Sequence, residues 1–167
     1  MTPRPLAERI VAQLALRGER VALAESLTGG LLTSALVDVA GASAVVSGGV
    51  VAYATDLKAT LLDVDAQLLA ERGAVDADVA VQMARGARVR LAIDGRPADH
   101  ALATTGVAGP DPQDGHPAGT VWIALSSDAG DEVRSLVVVG DRSAVREATV
   151  DAALELLAQR LDVDPRE

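Results

Sequence analysis

This chain has one tryptophan, one tyrosine and no phenylalanine or cysteine, although 49% of its 167 residues are apolar. Its core must therefore be filled by Ala, Val and Leu, and the abundance of alanine predicts helices packed close to their neighbours. The length suits one domain, 1–167, with a sizeable core. A formal net charge of -9 argues against the basic face that a nucleic-acid binder requires. No apolar run reaches membrane-spanning length and no signal pattern stands out, so the expectation is a soluble, cytoplasmic protein without a membrane or nucleic-acid partner.

Apolar spacing predicts helices over 5–16, 31–39, 57–62, 66–70, from Asp76 to about 93 and from Arg142 to about 161. Buried-strand runs fall at 21–24, 45–53, 98–104, 120–126 and 132–139, and 163–167 reads as a frayed tail. The alternation predicts an α/β fold whose last two strands form a hairpin turning at 128–131. Antiparallel pairing at one edge of a mostly parallel sheet follows.

Without cysteine, and with His100 and His116 at no metal-ligand or triad spacing, covalent chemistry would need a hydroxyl nucleophile. Lys58 and Tyr53 are the candidate bases beside it. Within 41–58, Ser43 lies in the turn before a strand and Lys58 in the first turn of a helix opened by Thr55 or Asp56. A straight strand would hold Ser43 and Tyr53 apart, whereas a bend at Gly48-Gly49 would fold the serine back. The alternative is a turn serine, a packing tyrosine and a solvated lysine on an ordinary buried strand.

Four further stretches bear on ligand binding. The turn 25–30 between strand and helix presents backbone N–H groups to an anion or oxyanion, or else Ser26 and Thr28 merely cap the helix. It lacks the lysine of a Walker loop. Thr104 to Pro110 follows a buried strand, where open α/β sheets keep their ligand sites. The loop 111–119 is either a lid or a surface connection, with His116 in it and His100 at a strand start as a structural residue. Arg142 and Arg146, four apart at a helix start, suit a phosphate or are neutralised by the chain's own carboxylates.

Read together, Ala24-Glu25-Ser26-Leu27-Thr28-Gly29-Gly30, Gly41-Ala42-Ser43, Gly48-Gly49-Val50-Val51-Ala52-Tyr53, Lys58, Gly73-Ala74-Val75, 105–110, Gly119-Thr120-Val121 and Gly140-Asp141-Arg142 resemble the C-terminal domain of competence/damage-inducible protein CinA. The stand-alone form of that family is nicotinamide-nucleotide amidohydrolase. The resemblance implies a three-layer α/β/α sandwich with a mostly parallel mixed sheet. It implies hydrolysis of the carboxamide of nicotinamide mononucleotide to nicotinate mononucleotide and ammonia, with no metal and no organic cofactor. Ser43 matches the family's nucleophilic serine, Tyr53 and Lys58 its activating pair, and Thr105 a hydroxyl that helps hold substrate. Ser26, Thr28, Gly29, Gly30 and Gly49, with Thr105, Gly106, Ala108 and Gly109, are then expected around the nucleotide, and Arg142 with Arg146 at its phosphate. A homo-oligomer, dimer or larger, is expected. A lysine with an ordinary pKa near ~10.4 is a poor base, so burial must depress it. The alternative within the family is a nucleotide-binding or interaction module that turns nothing over.

Overall fold

The computed structural model describes residues 4–165. Helix α1, Pro5–Arg17, starts with proline at its first position and ends at left-handed Gly18, whose N–H meets the carbonyls of Leu14 and Ala15. Strand β1, Val21–Glu25, is buried along its whole length, and α2, Leu31–Val37, follows. A single 3₁₀ turn, Ala42–Ala44, leads into β2, Val46–Val51. Helices α3 (Thr55–Leu62), α4 (Ala66–Arg72) and α5 (Ala77–Arg90) come next. Strands β3 (His100–Gly106), β4 (Thr120–Ser127) and β5 (Gly130–Val137) precede the final helix α6, Arg142–Arg160.

The strands form one sheet in the order β2-β1-β3-β4-β5. β1 pairs in parallel with β2 and β3, while β4 runs antiparallel to both β3 and β5. Only β4 is therefore reversed, which gives the mixed sheet with an antiparallel edge that the sequence suggested. The β4–β5 turn is tighter than the 128–131 reading: Ser127 pairs with Gly130, leaving Asp128 and Ala129 between them. Helix α5 stops at Arg90 rather than near 93, because Asp94 and Gly95 adopt left-handed conformations in a turn closed by Ile93 and Arg96.

Side chains alternate across the pleat, and the two faces differ in kind. Val21, Leu23, Leu102, Val121, Ile123 and Leu125 pack with α1, α2 and α6. Ala22, Ala24, Ala101, Ala103 and Ala124 pack with α3, α4 and α5. The result is three layers, α/β/α. On the alanine face the helices come very close: a Cβ on Gly86 of α5 would lie 1.9 Å from the Leu62 carbonyl oxygen of α3. Val163 is packed against the other core and so departs from the frayed-tail reading, whereas Arg166 and Glu167 lie outside the described residues. Among the described residues no helix is long and apolar enough to cross a membrane.

Candidate active site

Parallel neighbours end at the same edge of a sheet, so the residues that follow them meet. Glu25 at the end of β1 pairs with Val51 at the end of β2, which brings Ser26 beside Ala52. Ala52 donates its N–H to the Glu25 carbonyl at 2.9 Å, and Ser26 donates its own to Thr104 of β3 at 3.0 Å. The chain then turns through Tyr53 and Ala54 into α3, which returns Lys58 over this junction. Lys58 is 1% exposed. Its Nζ donates to the Ala52 carbonyl at 2.9 Å and to Ser26 Oγ at 3.1 Å.

Among the described residues no carboxylate forms an ion pair with Lys58. Burial therefore acts almost unopposed and pushes its pKa from 10.5 down to about 8, with the Asp114 carboxylate a lesser influence in the other direction. An amine of that kind is still largely protonated at pH 7, and its lone pair is freed as pH rises through about 8.

Ser26, Lys58 and Thr105 line a cavity of about 300 Å³, bordered by residues 106–113 and, at its exposed end, by Tyr53 and Arg142. Thr105 is buried and donates its hydroxyl to the Ala74 carbonyl at 2.6 Å. Gly106, Ala108 and Gly109 also line the cavity. Arg142 donates to the Gly109 carbonyl at 2.9 Å and to the Tyr53 phenol oxygen at 2.8 Å, so the two side chains clasp each other.

The structure does not bring Ser43 to this site. Ser43 is exposed in the 3₁₀ turn before β2, at the amino edge of the sheet. Six strand residues separate that turn from the Lys58 end, roughly 20 Å at about 3.3 Å per residue. The Gly48-Gly49 bend does not close the gap. The one register shift falls at Ser47, just before the glycine pair, and β2 then continues in the same direction to Val51. Tyr53 is 59% exposed and bonds Arg142; its hydroxyl makes no bond to Lys58 or Ser26 among the described residues.

Several expected substrate contacts have other partners. The Glu25 carboxylate accepts the N–H groups of Gly30, Leu32 and Thr33 and the Thr33 hydroxyl, at 2.6–3.1 Å, so the start of α2 already holds an anion of its own. The Thr28 hydroxyl pairs with that of Thr104 at 2.8 Å, and Gly29 sits against Arg146. Gly49 lies where a Cβ would meet Thr33 Oγ1 at 2.2 Å; it is a packing glycine. Arg146 donates to the carbonyls of Leu27 and Thr28 at 2.9 Å each. Thr28, Gly29, Gly30, Gly49 and Arg146 do not line the cavity. Neither arginine is neutralised by a carboxylate among the described residues, since backbone carbonyls take that place.

The partnership of Ser26 with Lys58 is what the sequence reading missed. Its signal was available: each residue follows closely on a run that reads as a buried strand, and strands in a parallel pair deliver their following residues to one edge. His100 instead pairs with Glu19 at 2.8 Å at the amino end of β3. His116 lies in the 111–119 loop, where its backbone pairs with Gln113. Among the described residues no group of three or more His, Asp or Glu side chains could hold a metal ion.

Residues 3–161 match the family described as the CinA C-terminal domain. The chain is 47% identical over 152 residues to a CinA-like protein of Frankia casuarinae, covering 91% of this chain and 34% of that one. It is 50% identical over 146 residues to a CinA-like protein of Geobacter sulfurreducens, covering 87% and 34% respectively. The chain thus spans about a third of the length of these curated relatives. Among solved structures, competence/damage inducible protein CihA from Agrobacterium tumefaciens superposes with a TM-score of 0.88 at 38% identity, covering 97% of this chain and 99% of that one. A CinA superfamily protein from Klebsiella pneumoniae gives 0.87 at 35% identity, with 94% and 96% covered. On sequence and fold together, this chain belongs to the CinA C-terminal domain family.

Proposed function

We propose that this domain hydrolyses the carboxamide of nicotinamide mononucleotide to nicotinate mononucleotide and ammonia, with Ser26 as nucleophile and Lys58 as its base. The observation that carries the reading is the buried Lys58 amine, 3.1 Å from Ser26 Oγ inside the cavity at the carboxyl edge of the sheet.

In the ammonium form Lys58 donates to Ser26. Once neutral, it accepts the hydroxyl proton while Oγ bonds to the amide carbon and the carbonyl electron pair moves onto oxygen. As the tetrahedral species collapses, Lys58 passes that proton to the departing nitrogen, which leaves as ammonia. Water then attacks the ester, giving a proton to Lys58, and the carboxylate product departs as Ser26 recovers its own. Water is the only co-reactant in the scheme. The cationic pyridinium ring of the substrate adds positive charge nearby, which favours the neutral amine further.

Thr105, Gly106, Ala108 and Gly109 are positioned to surround the nucleotide. Arg142 is the candidate for its phosphate, exchanging the Gly109 carbonyl and Tyr53 for a charge-assisted pair.

The test is ammonia release from nicotinamide mononucleotide by wild type, Ser26→Ala, Lys58→Ala and Ser43→Ala. The first two variants should lose at least about 1000-fold in kcat, with Ser43→Ala close to wild type. Loss in Ser43→Ala with Ser26→Ala spared would overturn the assignment of the nucleophile. Wild type that releases no ammonia, yet melts at a higher temperature with the nucleotide present, would mark a binding module.

A further inference from the structure

Three charged residues line the cavity that holds Ser26: Lys58, Arg142 and Asp111. Two are cations, and both already have partners. Lys58 donates to Ala52 and Ser26, and Arg142 to Gly109 and Tyr53. Asp111, the only carboxylate in the lining, is exposed and makes no hydrogen bond or ion pair among the described residues. Elsewhere Asp63, Asp76, Asp128 and Asp131 each pair with an arginine.

The stretch that carries Asp111 is a built wall of the cavity rather than a plain surface connection. Pro110, Asp111, Pro112 and Gln113 all border the cavity, and a proline on each side of Asp111 restricts the backbone there. Just beyond, Gln113 and His116 exchange backbone hydrogen bonds at 3.0 and 2.9 Å around left-handed Asp114 and Gly115, a two-residue turn. At its tip the Asp114 carboxylate accepts from the Ala74 N–H at 3.4 Å and fills the space that a Cβ on Gly73 would need. Ala74 also lines the cavity, and its carbonyl takes the Thr105 hydroxyl. The 110–116 stretch is thereby tied to a second part of the cavity wall.

This placement decides what Asp111 can meet. With the amide carbon at Ser26 Oγ and the phosphate at Arg142, the ring nitrogen of the nucleotide lies between the two. Asp111 stands two residues from Gly109, whose carbonyl Arg142 holds. A pyridinium ring brings a positive charge into a cavity whose other charges, Arg142 and protonated Lys58, are positive as well. Entry is unfavourable without a counter-charge, and in the lining Asp111 alone supplies one. We infer that Asp111 is a specificity-determining residue whose carboxylate faces the cationic ring and selects oxidised pyridinium nucleotides over nucleotides with a neutral ring. The inference rests on the nucleotide reading above.

The experiment measures Kd by calorimetry for nicotinamide mononucleotide and for the monophosphate of benzamide riboside, which keeps the amide and the phosphate but has a neutral phenyl ring. Ser26→Ala serves as the background, so that nothing is turned over. The quantity read is the ratio of the two Kd values. Adding Asp111→Asn should shift that ratio against the pyridinium nucleotide by roughly 3- to 5-fold, whereas Asp111→Glu should keep most of the original ratio. An unchanged ratio in Asp111→Asn overturns the inference. Equal tightening of both nucleotides in that variant overturns it too, because the carboxylate would then face the phosphate.

Ammonia release by wild type separates this result from the amidase reading. No ammonia, with the ratio still shifted in Asp111→Asn, ends the amidase reading and leaves the charge selection standing. Ammonia released with an unshifted ratio does the reverse. If no form of the protein binds either nucleotide, both are overturned.

Discussion

The two faces of the sheet do different work. On one, Leu23, Leu102, Ile123 and Leu125 meet Leu154, Leu156 and Leu157, large side chains that fill a thick layer between sheet and helices. On the other, Ala22, Ala24, Ala101, Ala103 and Ala124 meet Ala80, Ala84 and Ala87 of α5. Small residues on both sides let α5 sit close to the strands, and Gly86 lets α3 sit close to α5. Lys58 rides on α3, so its burial beside Ser26 depends on that close approach. The leucine face supplies most of the apolar burial; the alanine face sets the position of a charged group.

The largest effect should come from the leucine face. Leu154→Ala removes a fully packed side chain of α6 and should cost about 2–5 kcal/mol in denaturant unfolding. The kcat of the folded fraction should hardly change. A marked fall in kcat would mean that the two faces are not separable.

On the alanine face the opposite change is the informative one. Gly86→Ala drives a methyl group into the Leu62 carbonyl and should cost about 1–3 kcal/mol by overpacking. It should also lower kcat, because α3 must shift and take Lys58 with it. Full activity in this variant would break the link between close helix packing and the site.

The pH dependence should report the alanine face alone. With Lys58 held near about 8 in the free protein, kcat/KM should rise about tenfold per pH unit below that value and level off above it. A profile flat from pH 6 to 9 would remove Lys58 as the base.

Lys58→Met should give the smallest change, and a stabilising one. Burial holds the folded pKa at about 8, against 10.5 when unfolded. Below about pH 8 both states carry the proton, and the folded state bears the cost of burying it. Between about 8 and 10.5 only the unfolded chain keeps the proton, so wild-type stability rises with pH across that window. At pH 7 the variant should gain roughly 1 kcal/mol, the desolvation relieved being offset in part by the Ala52 carbonyl left without its donor. The gain should shrink as pH approaches 10. A variant less stable than wild type at pH 7 would contradict the account of a strained, buried cation.

Much of this architecture was legible because periodicity is a local property. The alternation Val21-Ala22-Leu23-Ala24 already separates a large-residue face from a small one, and Asp76 and Asp141 begin α5 and α6 with their side chains accepting backbone N–H groups. The loop after β3 was read as a candidate ligand loop from its place behind a buried strand, and it borders the cavity. What could not be read locally was pairing. Ser43 and Lys58 are neighbours in sequence but lie toward opposite ends of β2, whereas Ser26 and Lys58, 32 residues apart, meet because β1 and β2 run parallel. The partners of Glu25, Arg142 and Arg146 were hidden for the same reason: each bonds backbone groups whose direction only the folded turn defines.

The most direct measurement traps the intermediate. Protein reacting with nicotinamide mononucleotide is quenched in acid within the first turnovers, digested, and the 21–58 segment fragmented in a mass spectrometer. The account predicts a nicotinate-mononucleotide ester on Ser26, absent from Ser26→Ala. The same ester found on Ser43, with Ser26 unmodified, would contradict it.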